Sequence, residues 1–509
     1  MPSLSPTRNS DRLASLRELL LWCLPALVCG TVLRGLLLAR YPYAYVHPDS
    51  QDFLVTADRF LNHHHFVLHG KKSFLGPVVF LVPMLVRLPT LLVFSWAQHL
   101  LGLVYTVLVG AIVRCWTARW RWWIIPVTIL AAINPSVLYY EQALIAESHY
   151  LFCVTALALA GSIYALNRTW SRFALLLLAL LLTAGSRPEG KLYVLFALIL
   201  APLLFWGQWR KFAIFGGITL AFCVLTWLST RNTQAGLLLY ATVLPLAPHT
   251  PRGAPDFGPV IAPLREKRLA QGVLVMPDLV LEEKRITGVL YPYLRSKHLP
   301  TSGAGAFCQG LAVEAALRRP LLLPLVTLDK FLLATRLPGN DGFGQSWLQD
   351  TQLRSCTYKP WMLRLMPRLT GLPIHSHDDV VAYLHREFQP LQPDWFTPLQ
   401  QYWLDFTTGA RIPVPGQPAS TPGFPLFYLL AAAGMAAGIL RSGPMQKVHF
   451  AWVITIGFTA SVVMLTGVIL SRYRFVFEPF ALIYVFVLAD SIVSLVIPRP
   501  AAEKPASNP

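Results

Sequence analysis

The chain has 509 residues, of which 54% are hydrophobic and 13% charged, and its mean hydropathy is +0.50. A soluble domain carries roughly twice that charged fraction, so the composition excludes an ordinary soluble enzyme. The net charge of +18 would point to nucleic acid in a soluble protein, but here much of it lies in short loops between apolar runs. Basic residues in such loops orient a chain in a bilayer, so the expected partners are anionic membrane lipids or phosphates, and no nucleic acid.

Several runs of about 18–22 apolar residues are long enough to cross a hydrocarbon core of roughly 30 Å. The expected fold is an all-α polytopic membrane protein of about ten transmembrane helices (range 9–12), with interfacial helices and long outer loops. Residues 1–18 carry Arg8, Arg12 and Arg17 and form a cytoplasmic N-terminus. The run 19–39 is too long for a signal-peptide core and reads as an uncleaved signal anchor. Further spans are expected at 91–113, 123–140, 147–166, 172–185, 190–206, 212–229, 424–440, 449–470 and 475–497. The membrane core thus covers 19–230, with a first outer loop at 40–90, and the C-terminal helices cover 424–497 before a cytoplasmic tail, 498–509.

The basic segments 8–17, 114–121, 167–172, 208–211, 441–447 and the tail are assigned to the cytoplasmic face. Residues 134–147, 186–190 and 471–474 then fall on the outer face with the first loop. Phe74–Arg87 and an interfacial helix near 321–333 are too short or too interrupted to count as spans. The long outer segment 231–423 is rich in Pro, Gly and charge and reads as a lid over the membrane part. Five cysteines lie in or beside apolar runs as small hydrophobes. Cys308 and Cys356 fall in polar segments, where an oxidising compartment would let them pair.

Four places carry groups capable of chemistry. The first loop reads HPDSQDF from His47 to Phe53, with Asp49 and Asp52 three apart. Acids there suit a helix N-terminus. They also suit a general base, which needs a carboxylate close to an acceptor hydroxyl in a site shielded from water. If His47, Asp49 and Asp52 converge on a cation, their imidazole and oxygen ligands suit Mg or Mn. The second place is NPSVLYYEQALIAE, whose Glu141 fits solvation at a hairpin tip. Glu147 opens a long apolar helix at membrane depth, a costlier position for a charge. The third is the turn Ser186-Arg187-Pro188-Glu189-Gly190, readable as a salt-bridged turn. The fourth is Ser471-Arg472-Tyr473-Arg474 at the start of the last helix. Its arginines suit either snorkelling to the interface or clamping a phosphate. The histidines at 63–65 and 69 read as a wet loop. No nucleotide-binding, zincin or esterase motif is present.

These motifs, in this order, resemble the membrane-embedded GT-C glycosyltransferases that use polyprenyl-phosphate sugars, among them protein O-mannosyltransferases and the lipid A aminoarabinose transferase. The likeness covers about residues 19–230 and 440–497. It implies a GT-C-like bundle acting as a hexosyl- or pentosyltransferase without a nucleotide site. The first-loop acid, here Asp49, would be the base of an inverting single displacement. The acid of the second outer loop, Glu147 more readily than Glu141, would support the acceptor or a metal. Arg187, Arg472 and Arg474 would hold the lipid-linked phosphate, with Asp52, Glu189 and Tyr473 as substrate contacts. Family members commonly have adjacent acids in the first loop, whereas Ser50 and Gln51 separate the two here, and the large C-terminal outer domain is missing. The donor would be a polyprenyl-phosphate sugar and the acceptor a lipid, glycan or protein. The expected location is a bacterial inner membrane with the site facing outward. The competing expectations are a polymerase or ligase using lipid-diphosphate glycans, and a transporter or flippase of lipid-linked precursors.

Overall fold

The computed structural model describes residues 16–46, 50–65, 73, 75–229, 233–272, 279–336, 359–387, 395–409, 424–441, 443–466 and 475–497. Among these the regular structure is α-helical, with short 3-10 turns at Leu244–Leu246 and Thr301–Gly303 and one isolated bridge between Tyr45 and Ala143. Among the described residues four helices are long and apolar enough to cross a membrane: α1 (Leu16–Arg40), α4 (Thr90–Trp116), α7 (Glu147–Leu166) and α21 (Glu478–Val496). The pair α5 (Trp120–Ala132) and α6 (Pro135–Gln142), bent by 44°, makes a fifth if it is counted as one broken span. Other helices fall where spans were expected but are shorter: α8 (Trp170–Ser186), α9 (Gly190–Leu204) and α19 (Leu426–Leu440). A 15-residue helix is only about 22 Å long, short of a hydrocarbon core of roughly 30 Å.

The break between α5 and α6 has a local cause. Pro135 occupies the first turn of α6, where its missing N–H costs nothing. The Asn134 side chain caps that turn by accepting from the Ser136 N–H at 2.8 Å.

Helix α4 is central to the bundle and packs against α1, α5, α6 and α7. Helices α19 and α21 pack along each other, and Gly434 lets them touch. A Cβ at Gly434 would stand 1.9 Å from the Tyr484 carbonyl oxygen. Small residues serve such close helix approaches in membranes. Two further helices complete the bundle, α10 (Trp209–Ser229) and α20 (Pro444–Thr466).

Charge is used differently at the two ends. At one end Glu18 pairs with Arg114 and Arg121. There Asp490 accepts from the backbone N–H groups of Ala118 and Arg119 and from Arg441. The opposite end holds the first loop, with α2 (Ser50–His63) and α3 (Leu75–Leu85). Their apolar faces bury Phe53, Leu54 and Phe80 with Met362 and Leu365 of α16 (Pro360–Thr370).

The segment expected as a lid builds a hydrophobic core of its own. It comprises α11 (Thr233–Val243), α12 (Phe257–Gln271), α13 (Leu279–Ser296), α14 (Ala304–Arg318) and α15 (Leu322–Arg336). Tyr240, Phe257, Ile286, Leu290 and Cys308 are fully buried there. Helices α17 (His377–Glu387) and α18 (Phe396–Thr407) follow, and α18 packs against α6. Cys356 lies outside the described residues.

Candidate active site

The site is built on the loop between α6 and α7. The first-loop segment Tyr41–Val46 lies along it. The Tyr45 N–H donates to the Gln142 carbonyl at 2.9 Å, and the Leu144 N–H donates to the Tyr45 carbonyl at 2.8 Å. Ser50, at the start of α2, donates its hydroxyl to the Leu144 carbonyl at 2.6 Å. Residues on both sides of positions 47–49 are therefore bonded to the short stretch that leads into Glu147. His47 and Asp49 themselves lie outside the described residues, as do Arg472, Tyr473 and Arg474. Asp52 sits in the first turn of α2, the position where an acid favours a helix N-terminus.

Glu147, Arg187 and Glu189, expected as site residues from separate motifs, come together. Glu147 begins α7, and Arg187 and Glu189 form the turn between α8 and α9. Arg187 Nη1 donates to Glu147 Oε1 at 2.5 Å. Its Nε and Nη2 donate to the two oxygens of Glu189 at 3.1 and 3.2 Å. One guanidinium thus holds two carboxylates, and it also lies 5.6 Å from the centre of the Tyr150 ring. The cluster is largely buried, with Glu147 and Arg187 exposing 4% and 9% of their surfaces. Beside it the Ser148 hydroxyl and both ring nitrogens of His149 are buried without a hydrogen-bond partner among the described residues. Buried polar atoms usually find partners, so these groups stand out beside the cluster. Among the described residues no group of three or more His, Cys, Asp or Glu side chains is arranged to hold a metal ion.

A second polar cluster lies deeper and corrects the reading of Glu141. Far from a solvated hairpin tip, Glu141 is wholly buried, because the bend at Asn134 turns α6 into the bundle instead of ending the helix at its surface. Its Oε1 accepts from Arg34 Nη2 at 2.6 Å, and its Oε2 lies 2.8 Å from His99 Nδ1. His99 Nε2 is 2.7 Å from Gln142 Oε1, and the Gln142 amide donates to the carbonyls of Tyr41 and Tyr43. A chain of hydrogen bonds therefore runs from α1 through α4 and α6 to the first loop. Gly102 makes room for it: a Cβ there would stand 1.7 Å from Glu141 Oε1.

A third buried acid, Glu478, opens α21. It accepts from Asn134 at 3.4 Å, Trp403 at 3.3 Å and Tyr428 at 3.3 Å. Arg34, His99, Gln142 and Glu478 were missed from sequence. A charged residue inside an apolar run was the available signal, because it requires a partner at depth. No protein-family model matches the chain, and no curated protein is significantly similar to it.

Proposed function

We propose that the protein is a GT-C-like glycosyltransferase of a bacterial inner membrane. It moves a sugar from a polyprenyl-phosphate donor to an acceptor hydroxyl at the outer face. The observation that favours this reading most is the joining of the first loop to the α6–α7 loop, directly beside the Glu147–Arg187–Glu189 cluster. Three short motifs far apart in sequence thereby share one end of the bundle.

Asp49 takes the proton from the acceptor hydroxyl, and the hydroxyl oxygen forms a bond to the anomeric carbon. The bond from that carbon to the phosphate oxygen breaks, and the lipid phosphate leaves with the electron pair and inverted geometry at carbon. Glu147, held by Arg187, orients the acceptor, and Glu189 fixes the guanidinium. Arg472 and Arg474, with Tyr473, meet the charge developing on the phosphate; fixed donors aimed at such charge are strongly stabilising in a dry site. Mg or Mn at His47, Asp49 and Asp52 is an optional support for the same step.

The test is transfer of label from radiolabelled polyprenyl-phosphate sugars in membranes, comparing wild type with Asp49→Asn at equal expression. A general base contributes about 10²–10⁴-fold, so the variant should lose at least about 100-fold in turnover. Undiminished transfer by Asp49→Asn would remove the base assignment. No transfer by wild type from any monophosphate donor would turn the question to diphosphate-linked donors and then to translocation.

A further inference from the structure

A half-open cleft lies between α7, α8, α9 and α20, with its mouth away from the candidate active site. Its walls are apolar, including Leu157, Ala197, Leu204 and Val448, while Arg168 and Lys447 stand at its mouth. Lys211 lies beside that mouth, donating to the Arg168 carbonyl and sitting 5.1 Å from the Trp170 ring centre. The segments 167–172, 206–211 and 441–447 that surround the mouth contain no Asp or Glu in the sequence. Trp170, Trp206 and Trp209 are exposed around it at 53%, 77% and 72%, as aromatic side chains are at a membrane interface.

The depth of the cleft is informative. From Leu157 to Arg168 along α7, and from Tyr193 to Leu204 along α9, it extends about 16 Å at 1.5 Å per residue. That is about half of a hydrocarbon core of roughly 30 Å. At its inner end Trp452 lines the cleft with an indole N–H that has no hydrogen-bond partner among the described residues, although the residue is 7% exposed. A cleft one leaflet deep, greasy along its length and cationic at its mouth, matches one acyl chain beneath an anionic headgroup.

We propose that this cleft binds an anionic phospholipid of the leaflet facing the basic loops, with one acyl chain inside and its phosphate against Arg168 and Lys447. The polyprenyl-phosphate donor is not the occupant. The mouth lies at the C-terminal end of α7, whereas the Glu147–Arg187 cluster lies at the N-terminal end of the same helix. The bound lipid fixes the spacing of α7 and α20 at the end of the bundle remote from the chemistry.

Native mass spectrometry of the full-length protein, exchanged into micelles with phosphatidylglycerol, phosphatidylcholine or a polyprenyl phosphate, tests this. Wild type should retain phosphatidylglycerol over phosphatidylcholine. The double variant Arg168→Gln/Lys447→Gln, both at exposed positions, should lose that preference by about fivefold per charge removed, or roughly 1 kcal/mol each. Gly161→Phe should lose bound lipid, because Gly161 lines the cleft with open space where its Cβ would be. Equal retention of the neutral and anionic lipids by wild type would overturn the proposal. So would an unchanged preference in the double variant, or preferential capture of polyprenyl phosphate at this cleft. The readout is independent of sugar transfer, so it stands or falls apart from the glycosyltransferase reading.

Discussion

Glu141 and Glu147 are six residues apart, both buried and both bonded to an arginine, yet their surroundings differ. Glu141 has each oxygen engaged, one by Arg34 and one by His99, and Gly102 presses close against it. Its neighbours continue the chain of hydrogen bonds to the backbone of the first loop. Glu147 shares its arginine with a second acid and stands beside His149 and Ser148, whose side-chain polar atoms have no partner among the described residues. A buried charge can be enclosed for rigidity, or it can be kept beside unfinished polar groups that a substrate completes. Depth and pairing alone do not tell these two acids apart; the satisfaction of the neighbouring atoms does.

The comparison can be broken most directly at its rigid member. Glu141→Ala leaves Arg34 buried without its carboxylate, and breaking a buried pair costs about 3–5 kcal/mol. Its yield of folded protein in detergent should collapse, and a wild-type melting temperature would show that Arg34 and His99 do not depend on it. Gly102→Ala attacks the same network from the side, and overpacking of this kind costs about 1–3 kcal/mol. Thermal unfolding of that variant should fall in between.

Glu147→Gln should behave in the opposite way. It preserves shape and can still accept from Arg187, which keeps its bonds to Glu189, so stability should fall by no more than about 1.5–3 kcal/mol, less than for Glu141→Ala, while sugar transfer falls about tenfold or more. A destabilised but fully active Glu147→Gln would reverse the roles given to the two acids.

A different kind of effect is expected in the α11–α15 unit. Burial, with the nearby charge of Arg268, pushes the Lys330 amine down to about 7, and the amine donates to Thr242 at 2.8 Å. The unfolded chain keeps this proton up to about pH 10.4, so between pH 7 and 10 the unfolded state holds more of it. Stability must therefore rise with pH over that window. Urea unfolding at pH 7 and pH 9 should show the rise, and Lys330→Met should remove it.

Much of the bundle was legible because apolar runs interrupted by basic loops are a physical necessity in a bilayer. The helices at 16–40, 90–116 and 147–166 fall close to the runs that announced them. The candidate site was legible only in pieces. Glu147, Arg187 and Glu189 each lay in a short polar interruption between apolar runs, where a charge has few structural reasons to be. Arg34 was hidden inside a run, where its partner could not be found without the bend at Asn134. Residues 237–246 are as apolar as a span but too short for one, so the reading of a Pro- and Gly-rich lid passed over a segment that nucleates a separate core.

The bonds that close on Glu478 set a schedule for synthesis. Asn134 emerges 344 residues before the carboxylate that receives its amide. At about 5–20 residues per second that interval is roughly 17–70 s. Throughout it the half-helix α6, with its buried acid, must reside in the membrane without the last helix that helps hold its start. The N-terminal half of the bundle therefore has to be self-sufficient while the rest is made, and the Arg34–Glu141–His99 network, complete by residue 142, supplies that early cohesion.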